Sequence, residues 1–131
     1  MIAAQIARDA APLTGMHDPT EGGLLGGLWE LAYRQKLGFV IEAEKVFIYQ
    51  ESRRLCNFFN LDPFRLIGSG ALIITCKPRY SRKVVQALAD SGIPASVIGE
   101  FTPNYQGMYI IEKGKEKKVS PPFVDEITKI M

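Results

Sequence analysis

Four glycines inside one helical pattern constrain this chain more than any other feature. Gly22-Gly23 and Gly26-Gly27 fall within a stretch where Leu24, Leu28, Leu31 and Ala32 recur at i, i+4, i+7 and i+8. Glycine costs roughly 0.8–1 kcal/mol against alanine in a helix interior, so the four forgo roughly 3–4 kcal/mol of local preference. Such a helix persists where another backbone or a ligand comes close to it. Just upstream, Asp18 is a good N-cap and Pro19 suits the first helical position. Glu21 stands three residues after the cap, the spacing of a capping box. The run from Met16 to Gly23 therefore predicts a helix over 19–35 and marks its start as a candidate site.

The rest of the pattern alternates helices with strands. Ile2, Ala3, Ile6, Ala7 and Ala10 share a helical face that ends at Pro12 and Gly15. No capping residue precedes this helix, which predicts that its beginning is missing. Strands are expected at 39–43, 71–76, 95–101 and 108–112, with one more short strand near Val119. Helices are expected at 51–59, with Ser52, Leu55, Cys56 and Phe59 on one face, at 80–91, and at 123–131. The continuous apolar run 71–76 reads as the central strand, covered on both faces by the helices at 19–35 and 80–91. The pattern gives an α/β layered domain with a mixed sheet.

Composition narrows the function classes. A length of 131 residues, 47% hydrophobic and 23% charged, fits a single domain, 1–131, with its own core. The net charge of +2 names no partner. The one basic run, Lys113 to Lys118, is broken by Gly114 and Glu116 and reads as a solvated hairpin tip, so no nucleic-acid partner is expected. No stretch reaches the roughly 20 apolar residues of a membrane span, and no secretory leader is evident. Cys56 and Cys76 lack metal-ligand spacing. The chain is therefore expected to be cytoplasmic, with buried reduced thiols, no membrane partner and no metal site of its own. Phosphate-binding loops, nucleophile elbows and dinucleotide fingerprints are absent from the sequence.

Two readings of the motif stand side by side. A helix N-terminus is an anion site, yet Asp18 and Glu21 would repel a phosphate unless a cation lay between them. They either cap the helix alone, or join His17 and Thr20 in a cleft that contacts a magnesium-bound nucleotide or polar substrate. His17 is the only histidine and the one side chain suited to proton transfer near neutral pH. Gly68-Ser69-Gly70 forms a turn before the apolar run, and Trp29 and Tyr33, one helical turn apart, read as core or domain-interface residues. An uncovered apolar surface is expected on the first helix and on the helix bearing Trp29.

Met16-His17-Asp18-Pro19-Thr20-Glu21-Gly22-Gly23-Leu24 resembles the signature that opens the C-terminal domain of the AIR synthase-related superfamily. That superfamily includes aminoimidazole ribonucleotide synthetase, selenophosphate synthetase, thiamine-monophosphate kinase and the HypE-type hydrogenase-maturation proteins, which this chain most resembles. The segment from Asp62 to Leu72 is similar to the second glycine-bearing block, Val97 to Phe101 to the late strand, and Asp125-Glu126-Ile127 to the closing helix. The resemblance implies a three-layer α/β (α+β) domain, partly ferredoxin-like, with a central mixed sheet. It implies ATP and Mg2+, held mainly by an N-terminal nucleotide-binding domain that also builds a homodimer. Nothing in residues 1–131 corresponds to that domain, so this chain is expected to be inactive alone and to partner it.

On this resemblance His17 and Asp18 are the candidate catalytic residues, and Thr20, Glu21, Gly22, Gly23, Ser69 and Gly70 the candidate substrate- or phosphate-binding ones. The implied chemistry is activation of an amide-, acyl- or phosphate-type oxygen through phosphorylation. The hydrogenase-maturation branch dehydrates a carboxamide on its own C-terminal cysteine. Here the sequence ends Thr128-Lys129-Ile130-Met131, and Glu21 stands where that branch commonly has arginine, so cyano-ligand synthesis itself is not expected. The alternative is a non-catalytic small-ligand-binding or assembly domain. An enzyme half would bring His17, Asp18, Thr20 and Gly70 onto one concave surface.

Overall fold

A computed structural model describes residues 2–68 and 70–131. Its elements are α1 (Ile2–Ala10), β1 (Gly15–His17), α2 (Gly23–Gln35), β2 (Leu37–Glu42), α3 (Gln50–Phe59), β3 (Ile73–Thr75), α4 (Pro78–Asp90), β4 (Gly99–Pro103), β5 (Met108–Glu112) and β6 (Lys115–Lys118). Short 3-10 turns lie at Ala43–Lys45, Asn104–Gln106 and Glu126–Lys129. The strands form a four-stranded mixed sheet in the order β4-β2-β5-β6 and a separate two-stranded ribbon of β1 with β3. β2 runs antiparallel to β4 and parallel to β5, and β5 and β6 close an antiparallel hairpin. The hairpin turns on Lys113 and Gly114, both at positive φ (52° and 74°), as a two-residue type I′ connection requires. The expected hairpin tip over 113–118 is thus present, with β6 exposed throughout.

β2 and β5, not the 71–76 run, are the inner strands of the sheet. The apolar run does lie between α2 and α4, but in the small ribbon. Side chains alternate across a strand, so Ile73 joins the core of α2 and the sheet while Ile74 joins the cluster of α1 and α4. A strand covered on both faces needs continuous hydrophobicity wherever it sits, so the sequence pattern identified the burial and not the sheet. The larger core packs Leu25, Leu28, Leu31 and Ala32 of α2 onto Phe39, Ile41 and Ile110. The smaller one joins Ala7 and Ala11 to Val84 and Leu88.

Three further expectations are corrected. The C-terminal segment forms only the 3-10 turn at Glu126–Lys129 and no helix over 123–131, because its hydrogen-bonding groups are drawn into long-range contacts described below. The late strand begins at Gly99, four residues after the predicted start. α3 buries only Cys56 of its predicted face; Leu55 is 59% and Phe59 45% exposed, since the helix lies at the margin of the fold with no second layer over it. Phe47 with Tyr49 and Phe58 with Phe59 pack edge to face and stand exposed on and before α3, while Ile2 of α1 and Tyr33, which packs on Trp29, are exposed as well. Among the described residues, no helix is long and apolar enough to cross a membrane.

Candidate functional site

The motif does not start its helix where the capping spacing predicts. α2 begins at Gly23, and its N-cap is Gly22, at φ 82° and ψ 0°, with no side chain of its own to cap the helix. Gly23 is also left-handed, at φ 63°, and its N–H donates to Thr20 O at 3.1 Å. Two successive positive-φ residues reverse the chain, and that geometry excludes a helical first turn from Pro19 onward. Asp18 is consequently no N-cap: it is exposed, as are Thr20 and Glu21, while Pro19 is buried.

The cap comes instead from 103 residues away. Asp125 is buried, and its Oδ2 accepts the Gly22 N–H at 2.8 Å. Its Oδ1 accepts the N–H groups of Ile127 (2.9 Å) and Ile67 (3.3 Å). A buried carboxylate at a helix N-terminus satisfies orphan donors and complements the helix dipole. Beside it, Glu126 Oε2 accepts from the Asp62 N–H at 2.9 Å and from Lys129 Nζ at 2.7 Å. The Lys129 ammonium lowers the Glu126 carboxyl from its ordinary range; burial opposes this and the Asp62 amide assists it. The 123–129 segment therefore ties the motif loop to the 62–67 loop. The closing segment was visible in the sequence as a family block, but nothing there marked Asp125 as a cap, because its partners are distant in sequence.

Internal packing explains the glycines. A Cβ on Gly22 would stand 2.6 Å from Phe123 O, and one on Gly23 2.5 Å from Leu66 O. Gly27 lets β1 approach: its added Cβ would meet Pro19 Cβ and Ile73 Cδ1 at 3.0 Å and His17 Cδ2 at 3.2 Å. With that edge of the imidazole laid on α2, His17 Nε2 is buried 2.7 Å from Glu30 Oε2, one helical turn beyond Gly27. The oxygen lies off the N–H direction, so this is a close contact rather than an aligned hydrogen bond. Glu30 was missed by sequence reasoning. The available signal was its i+3 relation to Gly27 on the face turned to β1.

The pairing of His17 with Ile73 places the stretch after His17 and the stretch before Ile73 at the same end of the ribbon. Pro19 joins them, since a Cβ on Gly68 would lie 3.8 Å from Pro19 Cγ. Gly70 is exposed at φ 89° with open space around it, and Ser69 lies outside the described residues. His17, Asp18, Thr20, Glu21 and Gly70 thus belong to one end of the molecule. Gly22 and Gly23 do not share their exposure. Both are buried, and their N–H groups are taken by Asp125 and Thr20, so they shape the loop and present no amide to a phosphate. Trp29 is partly buried, 5.5 Å from the Tyr33 ring and 6.4 Å from that of Phe123, while Tyr33 is 71% exposed.

Two clefts of about 350 Å3 lie elsewhere, and neither is lined by residues 17–23. Among the described residues, no group of three or more His, Cys, Asp or Glu is arranged to hold a metal ion. At the start of α2 the amides of Gly22, Gly23, Leu25 and Gly26 are bonded internally.

Comparison with known proteins gives these features a family. Carbamoyl dehydratase HypE of Rhizobium leguminosarum bv. viciae is 31% identical over 101 residues, 76% of this chain and 29% of that protein. The E. coli hydrogenase maturation protein HypE has the same fold over 99% of this chain and 42% of its own, at 22% identity and a TM-score of 0.84. The hydrogenase maturation protein HypE in complex with ATP matches 94% of this chain and 39% of its own, at 22% identity and a TM-score of 0.79. The chain thus spans well under half the length of these HypE proteins. Residues 1–111 match the family model of the AIR synthase related protein C-terminal domain. This chain, with its glycine-bearing motif helix and mixed sheet, belongs to the AIR synthase-related C-terminal domain family and is HypE-like within it.

Proposed function

We propose that this chain is the C-terminal half of an ATP-dependent, HypE-like protein, and that its motif loop faces a nucleotide and substrate held mainly by an N-terminal domain. The observation that carries the reading is the contrast within the loop. Its backbone is bonded inward through Gly22, Gly23 and Asp125, while Asp18, Thr20 and Glu21 are left exposed, at the end of the ribbon that also carries Gly70. A rigid loop that spends no polar side chain on its own stability is suited to meeting a ligand. His17 is held at its Nε2 edge by Glu30, which leaves Nδ1 as the nitrogen for proton exchange. Asp18 supplies charge for a cation-bound or polar group, and Thr20 a hydroxyl. The chemistry proposed is activation of an amide-, acyl- or phosphate-type oxygen through phosphorylation by ATP, with Mg2+ and a homodimer arranged by the other domain.

The test uses the two-domain protein, comparing Asp18→Asn and Asp18→Ala for ATP turnover and melting temperature. Since Asp18 caps no helix, both variants should melt like the parent. Both should lose turnover about tenfold or more, as expected where a group at the reacting centre is removed. Unchanged turnover in both would make the motif a scaffold. A second reading, an assembly domain without catalysis, is favoured by the exposed apolar side chains of Phe47, Tyr49, Leu55, Phe58 and Phe59. It predicts intact turnover in the Asp18 variants and loss of self-association when Phe58 is changed to Ser.

A further inference from the structure

Away from the motif loop the fold forms a basic cleft that the proposed function does not use. It measures about 350 Å3 and lies between α3, the 62–65 loop and the β5–β6 hairpin. Its floor is apolar, from Leu25, Phe64, Ile110 and Val119, all buried. Arg53, Arg65, Lys117 and Lys118 line it against only two carboxylates, Asp62 and Glu112. Asp62 is already engaged: Oδ1 accepts the Phe64 N–H at 2.9 Å, and Oδ2 lies 3.8 Å from Arg65 Nε. Arg53, Lys117 and Lys118 make no ion pair among the described residues.

The geometry orients Arg53, Arg65 and Lys117 toward one space, while Lys118, opposite Tyr109, belongs to the other face of the hairpin. Lys117 stands directly opposite Ile110 in the hairpin, so it shares the face of that buried residue and rises beside the floor. Arg53 approaches from α3 on the other side. Arg65 is pre-positioned, its guanidinium 5.3 Å from the Phe123 ring centroid. The Cys56 thiol in the wall is pushed up by burial and by the nearby Asp62 charge, and so stays neutral. Lysines on an edge strand also deter unwanted strand pairing. That role explains Lys115 as well as Lys117, but it does not call for arginines on the facing elements.

We propose that this cleft is a binding site for a small phosphomonoester. Arg53 and Lys117 take the phosphate with help from Arg65, and the apolar body lies on Leu25, Ile110 and Val119. Guanidinium groups match phosphate oxygens in pairs, the volume is that of a small-molecule site, and the lining carries more cations than carboxylates.

The test is an NMR titration of the 131-residue chain with phenyl phosphate and with inorganic phosphate, at ionic strength held constant with sodium chloride. Phenyl phosphate should shift the amides of 53–57, 62, 64, 65 and 117–120 and bind more tightly than inorganic phosphate. The double variant Arg53→Gln, Lys117→Gln should weaken it about tenfold or more, the scale of losing charge-assisted contacts. Both residues are exposed, so the remaining spectrum should report an intact fold. Shifts spread equally over Lys113 and Lys115, equal binding of the two phosphates, or unweakened binding in the double variant would each overturn the assignment.

Discussion

Replacing Asp125 tests whether the motif loop is held from the far end of the chain. Its carboxylate accepts three backbone N–H groups, from Gly22, Ile127 and Ile67. Hydrogen bonds to a charged group contribute about 1.5–3 kcal/mol, and a buried donor left without a partner carries its full desolvation cost. Gly22 is buried, so its amide has no water to turn to, whereas Ile67 is exposed and Ile127 half-buried, and their amides rehydrate at little cost. Asp125→Ala should therefore destabilise the chain by about 3 kcal/mol, most of it from Gly22. For a domain of this size that is a fall of about 10 °C in melting temperature. Asp125→Asn keeps one carbonyl oxygen for Gly22 and should lose only about 1 kcal/mol. Thermal melts followed by circular dichroism give the totals. Hydrogen exchange gives the location: protection of the Gly22 amide should drop about 30-fold or more in the alanine variant. A melting temperature within 2 °C of the parent, or a Gly22 amide still protected, would refute the long-range cap.

Glycine substitutions should separate packed from open positions: Gly23→Ala faces Leu66 O at 2.5 Å from a left-handed backbone and should lower the melting temperature by more than 10 °C, about 3 kcal/mol, whereas Gly70→Ala meets open space and should cost about 1 kcal/mol. The pH dependence follows from Glu126. Its folded pKa lies below the ordinary value of 4.5, so its contribution is complete above that value and is lost as the pH falls through the lower folded pKa. Glu126→Gln should flatten the acid limb of a stability–pH curve below about pH 4.5, and an unchanged limb would remove Glu126 as its source. Because His17 is the only histidine, nitrogen-15 spectra should show one imidazole, with Nε2 against Glu30. Glu30→Gln should shift that signal, and a signal unmoved by the substitution would contradict the contact.

Legibility in the sequence followed the range of the interactions. α2 and α4 and strand β5 declare themselves through local periodicity, and β5 occupies the predicted residues Met108–Glu112. The 71–76 run showed its two-sided burial but not its partner, because a strand between two helix layers looks alike in a ribbon and in a sheet. Asp18-Pro19-Thr20-Glu21 satisfies every local rule for a helix start, yet the helix starts later. Local capping was outcompeted by a tertiary contact: with Gly22 and Gly23 both left-handed, the chain can tuck under Phe123 and offer its amide to Asp125. The 123–131 segment fails to become a helix for the reciprocal reason, since Asp125 and Glu126 are spent on the loops at 22 and 62–67.

The same exchange decides what kind of ligand the motif end can accept. A glycine-rich turn opening a helix ordinarily offers a row of free amides to a phosphate. In this chain four amides of that row are taken from within, by a carboxylate at Gly22 and by carbonyls at Gly23, Leu25 and Gly26. A ligand at this end would therefore meet mainly side chains, and the exposed ones include two carboxylates, Asp18 and Glu21. Two carboxylates welcome a cation, a hydrogen-bond donor or a metal-bound phosphate and repel a bare anion. Phosphate recognition without a cation is thus a task for a different surface, and the arginines and lysines of the α3 cleft carry the charge that such a task requires.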